Sequence, residues 1–209
     1  MLKPPWIASV ISINNWITRL TRLNFWSSLW PMSQPWEPLV LLKESFTNDD
    51  VIVGKNTMIH PTAVIEGPVV IGDNCVIGVG AYIRPYSRIG NDCVIGHATE
   101  IKHCILGDKV ILPHFNYVGD SILGNNVHLG GGAMIANYRI DGGVIRDSGL
   151  TKFGAIIGNG VEVGAGAILN PGTILGDNVT IYPGAIVRDD VPANSIVKVR
   201  LQQEIITKT

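Results

Sequence analysis

The sequence is poor in the features that mark several common classes of protein. It has only three cysteines in 209 residues, too few for a disulfide framework, so a reducing cytoplasm is the simplest compartment. Its formal net charge of −1 leaves no electrostatic footprint for a nucleic acid. It has no apolar run of about 18 residues, so no transmembrane helix is expected, and no cleavable signal peptide is indicated. We therefore expect one main globular domain with an appendage.

What the sequence does have is a period of six residues that begins near Val53. At each sixth position stands an aliphatic residue, usually with a small residue two positions before it and often with glycine directly after it. The period slips by one residue twice and returns after a longer interruption. The aliphatic positions are Val53, Ile59, Ile65, Ile71, Ile77, Ile83, Ile89, Ile95, Ile101, then Leu106, Leu112, Val118, then Leu123, Leu129, Ile135, and finally Ile157, Val163, Leu169, Leu175, Ile181, Val187.

A period of six fits neither an α-helix nor a simple two-sided strand, and a fixed short period indicates stacked repeats. It predicts an all-β solenoid whose coils have three flat faces, with aliphatics inside and Gly, Asn or Asp at the corners. The 21 repeats correspond to about seven coils over residues 51–200, followed by a tail at 201–209. Cys75 and Cys93 are 18 residues apart and should stack in the interior.

All five tryptophans lie within residues 1–50, which precede the repeats. The open end of a solenoid exposes unpaired strand edges, so we expect this arm to cover the first coil or to pack on a neighbouring subunit. Contact of Ile17 to Trp30 with a membrane surface is an alternative that we do not favour. Pro38 to Phe46 predicts a short helix with proline in its first turn.

The solenoid interior is aliphatic, so chemistry should lie where the period breaks, within residues 101–156. Polar side chains crowd this region: Lys102, His103, His114, Asn116, Tyr117, His128, Asn137, Tyr138, Arg139 and Lys152. The longest insertion, Ala136 to Ala155, predicts a protruding loop, which in a trimer of prisms would reach a neighbouring subunit.

Five segments resemble a known family. They are Ile83-Arg84-Pro85, Glu100-Ile101-Lys102, Pro113 to Asp120, Ala136-Asn137-Tyr138 and Thr151 to Gly158. They resemble the acetyltransferase domain of bifunctional glucosamine-1-phosphate acetyltransferase/N-acetylglucosamine-1-phosphate uridyltransferases, and the acetyltransferase half of archaeal sugar-1-phosphate nucleotidyltransferases, over about residues 51–200. The period itself resembles that of the hexapeptide-repeat transferases, whose fold is a left-handed parallel β-helix. The expected handedness comes from that resemblance, since parallel crossovers are generally right-handed.

The resemblance implies a function and a set of site residues. The implied reaction transfers acetyl from acetyl-CoA to the 2-amine of an amino-sugar 1-phosphate, with glucosamine 1-phosphate favoured over galactosamine 1-phosphate. His114 matches the family's general base, a role that suits an imidazole at neutral pH. The matching sugar-phosphate ligands are Arg84, Lys102, Tyr117 and Lys152, with Asn137 near the amine, and the matching CoA contacts are Gly131, Ala165 and Arg200. A homotrimer is implied, and no metal is expected.

The sequence also departs from the family pattern. His128 stands where the family has an asparagine, and Ala165 where it has a small hydroxyl residue. The insertion before Lys152 is longer than in the bacterial bifunctional enzymes. Residues 1–50 are too short to hold a uridyltransferase domain, so we expect a sugar-nucleotide product to need a second protein.

Two other functions remain open at this stage. One is an N-acyltransferase of the lipid A type, which acts on a UDP-glucosamine precursor with an acyl carrier protein as donor. The other is a metal-dependent or non-enzymatic hexapeptide-repeat protein. Four histidines, His97, His103, His114 and His128, are available as ligands, but their spacing does not suggest the three-histidine zinc site of the hexapeptide carbonic anhydrases.

Overall fold

A computed structural model describes residues 34–200, residue 202 and residues 204–208. The expectations about the tryptophan-rich stretch before residue 34, including membrane contact of Ile17 to Trp30, therefore lie outside the described residues. The predicted short helix is confirmed as α1 (Glu37–Leu42), which has proline in its first turn and continues into a 3-10 turn at Lys43–Ser45. Within the described residues, no helix is long and apolar enough to cross a membrane.

From Val51 onward the chain winds through three parallel sheets, which form the faces of one prism. The first sheet contains β1 (Val51–Val53), β4 (Val69–Ile71), β7 (Ser87–Ile89), β10 (Ile105–Leu106), β13 (Ile122–Leu123), β16 (Ala155–Ile157) and β19 (Thr173–Leu175). The second contains β2 (Met58–Ile59), β5 (Val76–Ile77), β8 (Val94–His97), β11 (Ile111–His114), β14 (His128–Leu129), β17 (Glu162–Val163), β20 (Thr180–Ile181) and β22 (Ile196–Val197). The third contains β3 (Val64–Ile65), β6 (Tyr82–Ile83), β9 (Glu100–Lys102), β12 (Tyr117–Gly119), β15 (Met134–Ile135), β18 (Ile168–Leu169) and β21 (Ile186–Val187).

The prediction of a parallel β-solenoid is confirmed, because each of the 21 repeats supplies one strand in the expected order. The number of coils differs slightly from the expected seven. The second sheet has an eighth strand, β22, which pairs with β20 and begins a further turn. The period did not reveal β22 because Pro192 and two successive aspartates, Asp189 and Asp190, interrupt the repeat before it.

The interior of the prism is apolar, as expected. Most of the period-six aliphatics are buried, and Cys75 and Cys93 are buried on successive coils, together with Cys104. The first coil is the exception, since Val53 and Ile59 are 40% and 39% exposed. Among the described residues, nothing covers this end of the solenoid fully.

The described part of the N-terminal arm packs somewhere other than the first coil. The residues Trp36, Leu39 and Leu42 join an outer hydrophobic cluster on the first sheet, where the members from the strands are Ile105, Ile122, Ile156 and Ile174. The long insertion packs there too: Ile145 and Phe153 are buried in this cluster, with the Phe153 ring 6.0 Å from that of Trp36. The insertion is thus partly anchored, although Ile140 is fully exposed.

The corner between the first and second sheets shows why glycine recurs in the repeat. After all of these glycines except Gly54, an Asp or Asn side chain accepts a hydrogen bond from the backbone of the adjacent coil, as Asp108 Oδ1 does from the Asn91 N–H at 2.7 Å. The coils approach so closely that a Cβ on Gly90 would lie 2.5 Å from the carbonyl oxygen of Gly107. A side chain at this position would force the two coils apart.

We therefore expect Gly90→Ala to destabilise the solenoid by about 1–3 kcal/mol, the usual cost of overpacking a tight site. Urea unfolding followed by circular dichroism measures the loss. The matched control is Gly184→Asn, because Gly184 has φ +70° and open space around it, and asparagine tolerates this conformation. Equal stability of Gly90→Ala and the wild type would contradict this account of the corner.

Candidate functional site

The corner between the third and first sheets is built from unusual residues. Tyr86, His103 and Asp120 lie at this corner on successive coils and have φ values of 63°, 50° and 48°. This left-handed conformation is costly for residues other than glycine and asparagine. The equivalent residues at the corner between the first and second sheets are mostly asparagine. Backbone strain of this kind concentrates at functional sites, so this edge of the prism is a candidate site.

A pocket of about 510 Å³ lies along this edge. The three predicted phosphate ligands, Arg84, Lys102 and Lys152, all line it, although they come from two successive coils and from the end of the long insertion. Tyr86, His103 and Asp120 line it as well, and so does Lys43 from the N-terminal arm. Sequence reasoning gave none of these last four residues a role in binding a phosphate, and it weighed His103 only as a metal ligand.

Asp120 is the centre of a hydrogen-bond network in this pocket. It is only 5% exposed, and its carboxylate accepts hydrogen bonds from His103 Nδ1 at 2.8 Å, Asn137 Nδ2 at 2.5 Å and Lys102 Nζ at 3.5 Å. Because a carboxylate only accepts, His103 Nδ1 carries the proton. Burial by itself raises the pKa of Asp120, but the hydrogen bonds and the positive charge of Lys102 outweigh it, so the pKa lies below its ordinary value.

The same network reaches Tyr117, another of the predicted ligands. Asn137 Nδ2 donates to the Tyr117 hydroxyl at 3.2 Å as well as to Asp120. The pKa of Tyr117 is raised, first by burial and then by the negative charges of Asp120 and Glu100. The structure thus brings Lys102, Tyr117 and Asn137 together around one carboxylate, whose only sequence signal was its place at the end of the segment Pro113 to Asp120.

Arg84 and Lys152 differ in how they are held. Arg84 Nη1 forms an ion pair with Glu100 Oε1 at 3.0 Å, and this hydrogen bond is the main cause of its raised pKa. Lys152 is exposed, and its backbone forms an antiparallel bridge with Tyr138. Among the described carboxylates none forms an ion pair with Lys152, which leaves its ammonium free to meet an anion.

His114 lies at the opposite edge of the third sheet, where the second sheet ends. Its side chain is exposed, and its ring lies so close to Gly131 that a Cβ there would be 2.5 Å from His114 Nε2. The next residue, Phe115, has φ 56° and packs against the rings of both His114 and His97. Gly131, one of the predicted CoA contacts, is therefore a direct neighbour of the predicted base.

Asn116 holds this corner in place. It is 2% exposed, and its Nδ2 donates to the carbonyl oxygens of Gly130 and Ala133 at 2.9 and 3.1 Å. These bonds join the coil that carries His114 to the coil that carries Gly131. The buried amide therefore sets the separation of the two functional candidates.

A second concavity, a groove of about 310 Å³, lies on the second sheet. Its walls include Gly130, Ala165 and Tyr182, so the predicted CoA contact Ala165 is placed there. His128 also lines the groove, and its Nδ1 is 2.8 Å from Glu162 Oε2. The third predicted contact, Arg200, is exposed beyond β22 and does not line the groove.

The histidines do not form a metal site in the part of the chain that the structure describes. No group of three His, Cys, Asp or Glu side chains there is placed to hold a metal ion. His103 and His128 are each hydrogen-bonded to a carboxylate, while His97 pairs with His114 on the next coil.

Comparison with known proteins agrees with the repeat and the fold. The family model described as bacterial transferase hexapeptide (six repeats) matches residues 50–85 and 154–189. The three-sided parallel prism and this repeat are similar to those of the hexapeptide-repeat β-helix fold. The resemblance of the six-residue period to that of the hexapeptide-repeat transferases is thereby confirmed.

Individual proteins are also similar to parts of this chain. The bifunctional sugar-1-phosphate nucleotidylyltransferase/acetyltransferase of Sulfurisphaera tokodaii is 35% identical over 75 residues, which are 32% of this chain and 19% of that protein. The bifunctional protein GlmU of Rippkaea orientalis is 40% identical over 107 residues, which are 51% and 22% of the two chains. This chain therefore matches about a fifth of the length of these relatives.

Among solved structures, the acetyltransferase domain of PglB from Neisseria gonorrhoeae, in complex with acetyl coenzyme A, is similar to this chain. The two are 23% identical with a TM-score of 0.45, over 67% of this chain and 53% of that one.

The network around Asp120 predicts a pH-dependent contribution to stability. Because the pKa of Asp120 is lower in the folded state than in the unfolded state, its ionised carboxylate stabilises the fold. This contribution is fully present above the unfolded-state pKa near 3.8, and it is lost as the pH falls through the folded-state pKa. We expect Asp120→Asn to cost about 1–3 kcal/mol at pH 7, because charged hydrogen bonds are lost. The difference from the wild type should shrink below about pH 4.

Chemical unfolding from pH 3 to pH 7 measures this difference. Asp92→Asn is the matched control, since Asp92 is exposed at a corner where equivalent coils carry asparagine. A difference for Asp120→Asn that does not change with pH would show that the carboxylate charge contributes nothing.

Proposed function

We propose that this protein is an N-acetyltransferase that moves acetyl from acetyl-CoA to the 2-amine of an amino-sugar 1-phosphate, glucosamine 1-phosphate in the first instance. The observation that carries the proposal is the pocket that Arg84, Lys102 and Lys152 line together. These residues match the family's phosphate ligands, and they converge although 50 residues separate Lys102 from Lys152 in sequence. The relatives named above, which include a bifunctional sugar-1-phosphate nucleotidylyltransferase/acetyltransferase, support the same assignment.

Convergent cations suit a phosphate monoester. Such a dianion loses its hydration on entering a pocket, and charge-assisted hydrogen bonds from lysine and arginine compensate for that loss. Tyr117 and Asn137, which lie in the Asp120 network, would contact the sugar, with Asn137 on the side of the amine. The network supports this role because it holds both side chains in one conformation.

His114 would act as the general base. The neutral amine attacks the thioester carbonyl carbon, forming a C–N bond, and His114 accepts the proton that the nitrogen loses. The tetrahedral intermediate then breaks its C–S bond, and the protonated imidazole returns a proton to the departing thiolate. The products are the N-acetylated sugar phosphate and CoA, and a base of this kind contributes about 10²–10⁴ in rate.

The groove on the second sheet is the proposed place for CoA. Gly131 lies beside His114, and Ala165 lines the groove, so a thioester arm along this sheet would end close to the base. Arg200 is proposed as a ligand for a CoA phosphate at the exposed end of the same sheet. We propose a cytoplasmic location, which is consistent with three free, buried cysteines.

A homotrimer is part of the proposal. The outer side of the third sheet carries apolar side chains that a monomer leaves in water, including Met134 and Ile186, which are 45% and 58% exposed. Phe115, beside the proposed base, is 59% exposed. We expect light scattering to give about three times the chain mass of 22.5 kDa. A monomeric mass would leave the site without the wall that a second copy supplies.

The direct test is an assay of free thiol released from acetyl-CoA in the presence of glucosamine 1-phosphate, with galactosamine 1-phosphate in parallel. We expect His114→Ala to lower kcat about 10²–10⁴-fold with little change in melting temperature, because the side chain is exposed. The matched control is His60→Ala, which removes an exposed histidine that directly follows β2 in the first coil.

Retention of full activity by His114→Ala would disprove the assignment of the base. A screen of acyl donors separates the alternatives in the same assay. Transfer only from a long-chain acyl carrier protein to a UDP-linked amino sugar would favour the lipid A type of enzyme instead.

A further inference from the structure

We propose that Lys43, in the N-terminal arm, is a fourth cationic ligand of the substrate's phosphate group. This inference rests on the proposed function for the identity of the substrate, but it concerns a residue outside the repeats. The segments that resemble the acetyltransferase family all lie in residues 83–158, so that resemblance assigns no role to the arm. On this inference the arm is part of the binding site and not only a covering for the solenoid.

Lys43 lies in the same pocket as the other three cations. Its backbone is in the 3-10 turn that follows α1, and its Nζ is 5.3 Å from the centre of the Tyr86 ring. It is exposed and forms no ion pair with any carboxylate in the described part of the chain. An ammonium that faces a cationic pocket without its own counter-ion is suited to bind an anion there.

A buried arginine fixes the turn that carries Lys43. Arg88, in β7, is 5% exposed, and burial lowers its pKa. Its guanidinium donates to the Ser45 carbonyl oxygen at 2.8 Å and to Ser45 Oγ at 3.2 Å, and it lies 4.4 Å from the centre of the Phe46 ring. Burying a charge without a carboxylate partner is costly, and these contacts offset the cost only while the arm stays in place.

Aromatic contacts continue from this anchor to the pocket floor. The Phe46 ring packs edge-on against Tyr86 at 6.1 Å, and Tyr86 packs in the same way against His103 at 6.4 Å. His103 is held by Asp120, and its buried Nε2 has no hydrogen-bond partner in the described structure. The arm is therefore in contact, through two rings, with the network that positions Lys102.

The charge balance of the pocket supports a fourth cation. Arg84 is paired with Glu100 and Lys102 lies 3.5 Å from Asp120, so these two positive charges are largely offset. Lys43 and Lys152 have no such partner among the described residues, which leaves two uncompensated positive charges. A phosphate monoester carries close to two negative charges at neutral pH, so the pair would neutralise it.

Binding measurements on the full chain test this assignment. We expect Lys43→Met to weaken the binding of glucosamine 1-phosphate and of inorganic phosphate about tenfold by isothermal titration, as expected for one charged contact. The KM for the sugar phosphate should rise similarly, with kcat within about twofold, because the phosphate takes no part in the bond changes at the amine. Lys43→Arg should stay close to the wild type, since it keeps the charge.

The matched control is Lys55→Met, which removes one exposed lysine from the first coil and changes the net charge equally. Melting temperatures of all variants are compared first, and Lys43→Gln replaces Lys43→Met if the latter is less stable. Unchanged phosphate affinity in the variant without the charge would overturn the inference, as would an equal loss in Lys55→Met.

Failure of the proposed function would look different. If the wild type binds phosphate, the Lys43 variant binds it less tightly and no acetyl transfer occurs with any amino-sugar phosphate, then the anion site stands and the proposed reaction falls. If the wild type binds neither inorganic phosphate nor glucosamine 1-phosphate, the inference about Lys43 is overturned as well.

Discussion

The close stacking of very short coils is the constraint on which the rest of this structure depends. Each corner must turn within a few residues, so the backbone enters the left-handed region again and again, and neighbouring coils approach to backbone contact. At the corner between the first and second sheets, glycine followed by Asp or Asn meets this demand at low cost, as at Gly90. This corner, which has little backbone strain, stabilises the solenoid and carries no candidate site residues.

At the other two edges, residues with larger side chains adopt this conformation at a higher cost in backbone free energy, and the candidate site residues lie there. Tyr86, His103, Asp120 and Phe115 adopt the same left-handed conformation with large or charged side chains. Their strain is maintained by the regular hydrogen bonding of the coils on either side. At the corner between the third and first sheets, the side chains of these residues line the pocket. A solenoid with an inert interior thus presents cations at one edge of a sheet and an imidazole at the other.

One buried carboxylate and one buried guanidinium organise what the repeats alone leave loose. Asp120 collects Lys102, His103 and Asn137, and so orders the floor of the pocket. Arg88 holds the arm against the first sheet through Ser45 and Phe46. The arm and the long insertion share one outer hydrophobic cluster, and both add a lysine to the same pocket. Binding residues from three separate parts of the chain are therefore packed together around one pocket.

The sequence by itself determined the strands, the apolar interior and the stacking of Cys75 on Cys93, because a period of six places residues 18 apart on adjacent coils. Only the tertiary structure brought Lys152 and Lys43 to that pocket, gave Asp120 its role and added the eighth turn. The physical reason is that a local period carries no information about segments outside it. Their positions depend on contacts between residues far apart in sequence, such as Ser45 with Arg88 and Trp36 with Phe153, which form only when the chain has folded.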